Sequence, residues 1–356
     1  MKTDLVKGFI DYVDKDAQKR AIVQEVIKQV FEKYNFEIVE TPIIEYEEFV
    51  KGENQNDDAI SDIFKLQDKG KRKLALRYEF TFQLKRIAKN KKLPFKRFQI
   101  GQVFRDEPVT GNRLRQFTQC DVDVIGSSVK EEAEILAITK DIFDALKIKS
   151  VIYVNNRKLL NEILGNLGVK KKDDVIREID KLDKLPEKIV KKNLEKYNAE
   201  KIISILKKDE KFFEKFNGYK EVKELKEYCK LYGVVVKFSP FLARGLSYYN
   251  GNVFEIKSDI KETICGGGSY EIDDVQSTGI SFGLDRLQLV TKMIVDIEKY
   301  LVVSLNQDRK AISVAKQLRA KRKNASVFYG KPSKALEYAN SYGIKKVIFV
   351  GEREVK

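Results

Sequence analysis

Four arginines stand where strand-like sequence offers them no ordinary partner. Arg105 follows the apolar run Phe98–Phe104, and Arg115 opens the alternating stretch Arg115–Gly126. Between them lies a polar loop, RDEPVTGNRL, containing Pro108 and Gly111. Arg244 is flanked by Leu242–Ala243 and Gly245–Leu246, and Arg286 lies in the otherwise apolar GLDRLQLV. A guanidinium is always charged, so partial burial demands an anion beside it. A single such arginine is usually met by a structural ion pair, whereas four on one sheet domain point to a polyphosphate. No GxxxxGK[ST] loop is present to cradle one. The run Gly266–Gly268 is by itself more often a tight turn than a phosphate cradle. The chain contains no histidine, which excludes histidine triads, metal sites and general bases. Chemistry then falls to carboxylates, arginine, lysine, tyrosine and threonine, or to groups the substrate brings.

Periodicity supplies the elements that must position these side chains. Asp16–Tyr34 places Ile22, Val26 and Val30 on one helical stripe, with Ile27 and Phe31 on the neighbouring one, and Asn35 ends the helix. Phe36–Pro42 alternates as a strand that stops at Pro42. Lys73–Leu76 predicts a short strand and Thr81–Asn90 a helix behind it. Phe98–Phe104 and Arg115–Gly126 predict a long hairpin with a charged loop, and Glu131–Leu146 a helix. Lys158–Tyr232 is helical and Lys-rich, with Pro186 as its strong breaker, and reads as a separate insertion. Strand sequence returns at Val234–Phe238 and Asn252–Ile256, and Gly279–Val290 runs from Gly-Ile-Ser-Phe-Gly into an apolar helix. Then strands (Tyr300–Leu305, Ser326–Tyr329, Lys346–Val350) alternate with helices (Lys310–Ala320, Ser333–Tyr342), the pattern of a small parallel α/β module. The expected fold class is α+β, an antiparallel sheet flanked by helices. Residues 1–157 and 234–297 would form the sheet domain, 158–233 the helical insertion and 298–356 the α/β module.

A chain of 356 residues suggests two or three domains. Its net charge of +15 is uneven. Leu301–Lys356 holds 13 Lys/Arg against 4 Asp/Glu, and Lys158–Val236 holds 20 against 15. A basic surplus at one end suits a polyanion such as RNA, although charge alone leaves solvated lysine-rich faces equally open. Cys120, Cys229 and Cys265 show no CxxC spacing, which argues against a zinc site or a disulfide framework and fits a reducing cytosol. No apolar run is long enough for a membrane span, and the N-terminus lacks the apolar core of a secretory signal.

Several segments carry a family resemblance. TPIIEY, with Pro42 after helix and strand, resembles motif 1 of the class II aminoacyl-tRNA synthetases. FRDEPVTGNRLRQF (Phe104–Phe117) resembles motif 2 and GISFGLDRL (Gly279–Leu287) motif 3, in the order and spacing of that class. LARGLSYYNGNVFEI (Leu242–Ile256) and CGGGSYEID (Cys265–Asp273) resemble the two segments peculiar to the histidyl-tRNA synthetase family. LRYEFT (Leu76–Thr81), QCDVDVIG (Gln119–Gly126) and IDKLDKLPE (Ile179–Glu187) resemble its archaeal and eukaryotic form. The resemblance runs from Lys7 through nearly the whole chain. It implies the class II sheet, an anticodon-binding-like C-terminal domain, ATP-dependent activation of L-histidine and transfer to histidine tRNA. It also implies a cytoplasmic homodimer pairing through the first helix and the strand ending in Pro42.

The resemblance further implies residue roles. Arg105 would hold the ATP α-phosphate and the attacked carboxylate. Arg286 would bind the γ-phosphate and cover the adenine, with Phe117 on its other face and Glu107 and Arg115 completing the ATP contacts. Arg244 would supply positive charge where other class II enzymes use a bound metal, so Mg²⁺ is expected only on the β- and γ-phosphates. Glu79, Thr81 and Gln119 correspond to contacts that hold the α-ammonium and position the substrate. Asp123 and Tyr249 correspond to partners of the imidazole nitrogens, with Tyr248 and Gly267 nearby. Adjacent strand residues point to opposite faces, so at most one of the two tyrosines is expected at the ligand. A phosphate oxygen of the adenylate would take the ribose proton. The loop Asp106–Arg113, with Arg113, would approach the acceptor end of the tRNA. Arg319, Lys321 and Arg322, with Lys323, are expected at the anticodon stem on charge alone.

The chain departs from the family where Ser247 replaces Asp and Ser269 replaces Arg, and at Phe80, Phe82 and Gln83 beside Glu79. The C-terminal module ends at GEREVK, before a further strand and helix usual in the family: either the domain is reduced, which predicts weaker dependence on the anticodon, or the chain is truncated. The alternatives are a catalytically silent paralogue, acting as a regulatory or RNA-binding subunit, and a class II synthetase for another amino acid.

Overall fold

Helix α1 (Asp14–Lys33) shows the periodicity most clearly, and its buried residues are Arg20, Val23, Ile27, Val30 and Phe31. The buried stripe therefore centres on Val23–Ile27–Phe31 rather than on Ile22–Val26. Asn35, at φ +60°, turns the chain into strand β1 (Glu37–Ile38). This strand is shorter than expected. The Val39 N–H still donates to the Phe98 carbonyl at 2.9 Å, but Pro42 has no N–H to continue the ladder. The computed structural model describes residues 3–51, 62–111, 113–183, 185–245, 248–260, 263–293 and 296–352.

Strands β2 (Ile44–Tyr46), β3 (Lys65–Gln67) and β4 (Lys73–Leu76), with helix α2 (Glu47–Lys51) after β2, make a small antiparallel sheet in the order β2-β4-β3. Helix α3 (Leu84–Ile87) is only part of the helix expected over Thr81–Asn90. Tight turns precede it, with the Leu84 N–H on the Thr81 carbonyl at 3.0 Å.

The large sheet begins with the long hairpin β5 (Phe95–Phe104) and β6 (Gln116–Ile125). Helix α4 (Val129–Ala145) follows behind a capping box of Ser128 and Glu131. Strand β7 (Val151–Asn156) was not anticipated. Helices α5 (Arg157–Asn166), α6 (Lys172–Asp180), α7 (Glu187–Glu195), α8 (Ile202–Leu206), α9 (Glu210–Phe213) and α10 (Asn217–Leu231) come next. Strands β8 (Val236–Phe238), β9 (Tyr249–Lys257), β10 (Cys265–Ile272) and β11 (Val275–Gly283) lead into helix α11 (Leu284–Val290). The eight-stranded order is β1-β5-β6-β11-β10-β9-β7-β8, antiparallel except for the edge pairs β1/β5 and β7/β8. The glycine run Gly266–Gly268, taken from sequence as a tight turn, lies inside β10.

Strand alternation gives this sheet two chemically different faces. Cys120, Val122, Val124, Phe254, Ile280 and Phe282 join α1 and α4 in one hydrophobic core. The rings of Phe31 and Phe98 lie 5.1 Å apart there. Leu159, Val175, Val190, Phe213 and Val222 from α5–α10 continue the same core. The opposite face carries Gln119, Asp121 and Asp123. All three cysteines are buried.

The chain divides into two compact units, Met1–Met293 and Ile294–Lys356. In the second, β12 (Lys299–Ser304), α12 (Asp308–Ala320), β13 (Asn324–Tyr329), α13 (Pro332–Ser341) and β14 (Lys346–Val350) form a parallel sheet in the order β13-β12-β14. Among the described residues no helix is long and apolar enough to cross a membrane.

Candidate active site

Gln119, Asp121 and Asp123 sit two residues apart on β6 and so share one face of the sheet. All three are buried. Gln119 Nε2 donates to Asp121 at 2.9 Å, and its Oε1 accepts from Arg105 at 3.4 Å. Asp123 pairs with the wholly buried Arg97 of β5 at 2.6 Å and accepts a hydrogen bond from the Tyr270 hydroxyl of β10. Glu79, in the bent segment between β4 and α3, lies close enough to interact with both aspartates. Burial first, then the Asp121 and Asp123 charges, push its carboxyl up to about 7, against the pull of Arg105 and the Thr81 hydroxyl. Asp121 is raised to about 6, by burial and then by Asp123. One oxygen each of Glu79 and Asp121 has no hydrogen-bond partner. Three buried carboxylates with one buried arginine among them make a site for a cation bearing N–H groups.

Arg244 lies across β10. A methyl group on Gly266 would sit 2.6 Å from its Nη1, and one on Gly268 would sit 2.9 Å from the Tyr249 ring. The two glycines thus open the floor on which Arg244 and Tyr249 rest. Gly267, between them, faces the other way, since a methyl there would meet the Gly279 carbonyl at 2.0 Å. Arg244 is half-buried near Glu255, Asp180 and the two tyrosines. Tyr248 and Tyr249 do not point to opposite faces: their rings lie 4.7 Å apart, and Tyr248 is 5.8 Å from Tyr270. The alternation argument fails because β9 begins only at Tyr249, so Tyr248 sits in the preceding turn. Ser247 lies outside the described residues.

The arginines expected at the phosphates stand around β6 and the start of α11. The Arg105 guanidinium lies 4.3 Å from the Tyr78 ring centroid and 5.1 Å from that of Phe117. Glu107 accepts from Arg113 at 3.0 Å through its side chain and from Arg115 at 3.1 Å through its carbonyl. Arg286, in the first turn of α11, donates to the Thr263 carbonyl at 2.7 Å. Arg319, Lys321 and Arg322 are exposed at the end of α12 in the second unit.

Comparison with known proteins decides among the family readings. A family model described as histidyl-tRNA synthetase matches residues 8–287. Histidine–tRNA ligase 1 of Bacillus anthracis is 34% identical over 393 residues, covering 98% of this chain and 92% of the relative. The chain belongs to the histidyl-tRNA synthetase family. The crystal structure of histidyl-tRNA synthetase from Nostoc sp. PCC 7120 superposes with a TM-score of 0.83 at 27% identity, covering 98% of this chain and 92% of that one. A Bacillus halodurans protein titled ATP phosphoribosyltransferase regulatory subunit/histidyl-tRNA synthetase has the same TM-score, 0.83, at 19% identity and 98% coverage of both chains, a likeness of fold alone. The two histidyl-tRNA synthetase signature segments, Leu242–Ile256 and Cys265–Asp273, meet as the paired strands β9 and β10.

Sequence reasoning missed Arg97, Asp121, Tyr78 and Tyr270. The signal for Asp121 was its parity with Gln119 and Asp123, and for Tyr270 its parity with Gly266 and Gly268. For Arg97 it was a charge set inside a strand, the argument already applied to the other arginines.

Proposed function

We propose that the chain activates L-histidine with ATP to histidyl-adenylate and transfers the histidyl group to histidine tRNA, through the face of the sheet that carries Glu79, Asp121 and Asp123. The observation that carries this reading is the buried carboxylate cluster, under-neutralised by Arg97, beside Arg105 and linked to Arg244 through Tyr249. The α-ammonium of histidine would take the free oxygen of Glu79, with Gln119 and Thr81. Its imidazole would lie towards Tyr248, Tyr249 and the aspartates. Asp123 is the inner carboxylate, fixed by Arg97 and Tyr270, and Asp121 joins the contacts because one of its oxygens is unpartnered. An analogue lacking either ring nitrogen would leave a buried polar group unpaired and be strongly rejected. LRYEFT and QCDVDVIG support a pocket of the archaeal and eukaryotic type, although the relatives reported above are bacterial.

In adenylation the histidine carboxylate attacks the α-phosphorus in line and pyrophosphate leaves. Charge grows on the α-phosphoryl oxygens, and fixed guanidinium groups stabilise it without reorganising. Arg105 and Arg244 take that role, while Arg286, Glu107, Arg115 and Phe117 hold the nucleotide. ATP enters as its Mg²⁺ complex, with the ion on the β- and γ-phosphates. Among the described residues no three His, Cys, Asp or Glu side chains group to hold a metal. In the transfer step an adenylate phosphate oxygen accepts the proton of the attacking ribose hydroxyl. Arg113, Arg319, Lys321 and Arg322 would meet tRNA phosphates. Ile38, Ile43, Ile44, Tyr46 and Leu66 are exposed around β1–β3 and offer the apolar surface for a homodimer.

Histidine-dependent ATP–pyrophosphate exchange tests the reading. Exchange with histidine alone is expected. No exchange with any amino acid would favour the silent paralogue, and exchange with another amino acid a different class II enzyme.

A further inference from the structure

The segment before α1 lies against both of the motifs read as gripping ATP. At one end, the Gly8 carbonyl accepts from the Arg115 N–H at 2.9 Å and from the Gln116 N–H at 3.3 Å. Gly8 holds φ +87°, and a methyl on it would lie 2.8 Å from Arg115 Cγ and 2.9 Å from Val109 Cγ2. This position therefore needs glycine for both its conformation and its contact. Phe9 then packs edge-on against Phe64 at 6.1 Å. At the other end, the Tyr12 hydroxyl donates to Asp285, the residue before Arg286. The Arg20 guanidinium stacks 3.7 Å from the Tyr12 ring centroid. Its Nη1 reaches Asp285 at 2.6 Å and its Nη2 reaches Thr118 Oγ1 at 2.9 Å. The second oxygen of Asp285 accepts the Thr118 N–H of β6 at 3.1 Å. One carboxylate thus gathers the N-terminal segment, α1, β6 and the start of α11.

Resting on the reading of Arg115 and Arg286 as ATP ligands, we propose that Gly8, Tyr12 and Arg20 are positioning residues for ATP, forming a clasp that fixes the motif 2 return strand against the motif 3 helix. None of the three needs to touch the nucleotide. Arg286 sits one residue beyond Asp285 in a helix of seven residues. Such a short helix has little rigidity of its own, and the Asp285 contacts pin its first turn. The charged acceptor makes each of these hydrogen bonds stronger than a neutral pair. A lysine at position 20 keeps the charge but has no fork to reach Asp285 and Thr118 together.

Tyr12→Phe is the decisive variant, because it keeps the ring against Arg20 and removes only the hydroxyl. In pyrophosphate exchange its KM for ATP should rise roughly five- to tenfold, the scale of one ordinary hydrogen bond, because only part of the lost contact is felt at the nucleotide. The KM for histidine should stay near that of the unaltered protein, and the melting temperature should fall only by the small amount that one hydrogen bond costs. Gly8→Ala and Arg20→Lys should shift the same parameter in the same direction. Tyr12→Phe combined with Asp285→Asn should be less than additive. Arg286→Ala serves as the control. If it raises the KM for ATP and Tyr12→Phe does not, the clasp is wrong and the site stands. If Arg286→Ala leaves that KM unchanged, the ATP reading itself falls and takes the clasp with it. An equal loss in all kinetic parameters with a lower melting temperature would make these residues merely structural and overturn the proposal.

Discussion

Glu79 is an acid held at the wrong pKa for its surroundings, and that has a measurable sign. Its carboxyl is raised by burial from an ordinary 4.5 to about 7. Between those values the folded protein keeps a proton that the unfolded chain has released. The stability this contributes is full below the lower value and is lost as pH rises through the higher one. While Glu79 titrates, stability should fall by up to about 1.4 kcal/mol per pH unit. Asp121, raised to about 6, acts in the same direction. Urea midpoints from pH 4.5 to 8 should show the decline without ligand, a smaller one in Glu79→Gln, and recovery when histidine brings its ammonium. A flat profile would mean that the pocket is already neutralised. Arg244 makes a second prediction. Arg244→Gln should lower kcat about 100-fold with a smaller change in KM, as expected for a group acting on transition-state charge. Arg244→Lys should not rescue it. Gly266→Ala should give a milder version, since the added methyl would displace the guanidinium. Arg105, Arg244 and Arg286 were legible because a charge inside apolar sequence is conspicuous. Asp121 and Tyr270 were not, because parity matters only once the strand is known to face a pocket.

Strand β10 shows how one element serves two faces. Gly266, Gly268 and Tyr270 line the site, while Ser269 points to the helix layer. There it donates to the buried Glu132 of α4, which also accepts from Asn252 at 2.7 Å. Asn252 accepts in turn from Asn156, which also donates to Glu221 of α10 at 2.8 Å. Burial raises Glu132 to about 7. Ser269 thus fills the place of an expected arginine within a hydrogen-bonded network rather than by charge. Ser269→Ala should cost about 1–3 kcal/mol in urea unfolding, the price of an unpartnered buried group, with pyrophosphate exchange kinetics nearly unchanged. A kinetic loss without a stability loss would place Ser269 in the site instead. Long periodic segments such as α1, β5, β6 and α4 were readable in the sequence. Strand β7 was passed over because VIYVNN abuts a helix start without a glycine or proline to mark it. The glycine run was misjudged because its turn propensity was weighed without the ladders on both sides, β9 and β11.

At the scale of the whole molecule, +15 is spread over a chain whose proposed partners are anions. In the proposed reading small substrates are held by buried groups, and tRNA by exposed lysines and arginines such as Arg319, Lys321 and Arg322. Salt should therefore separate the two half-reactions. Raising KCl from 50 to 200 mM should increase the KM for tRNA by about tenfold or more, while pyrophosphate exchange shifts little. Equal sensitivity in both would mean that the basic surface does not carry the tRNA. Charge and motif order pointed to this division from sequence, but not to the shared core. Helices α5–α10 read as a separate body because their lysines dominate the composition, yet Leu159, Val175, Phe213 and Val222 pack into the core beneath the sheet.

Cys120, Cys229 and Cys265 are all buried, and burial pushes each thiol well above its usual range. The folded protein is therefore nearly inert to alkylating reagents without any substitution. A cysteine placed on the exposed face of α12, for example at Lys316, would be the one readily labelled position, ready to carry a fluorophore that reports tRNA arrival.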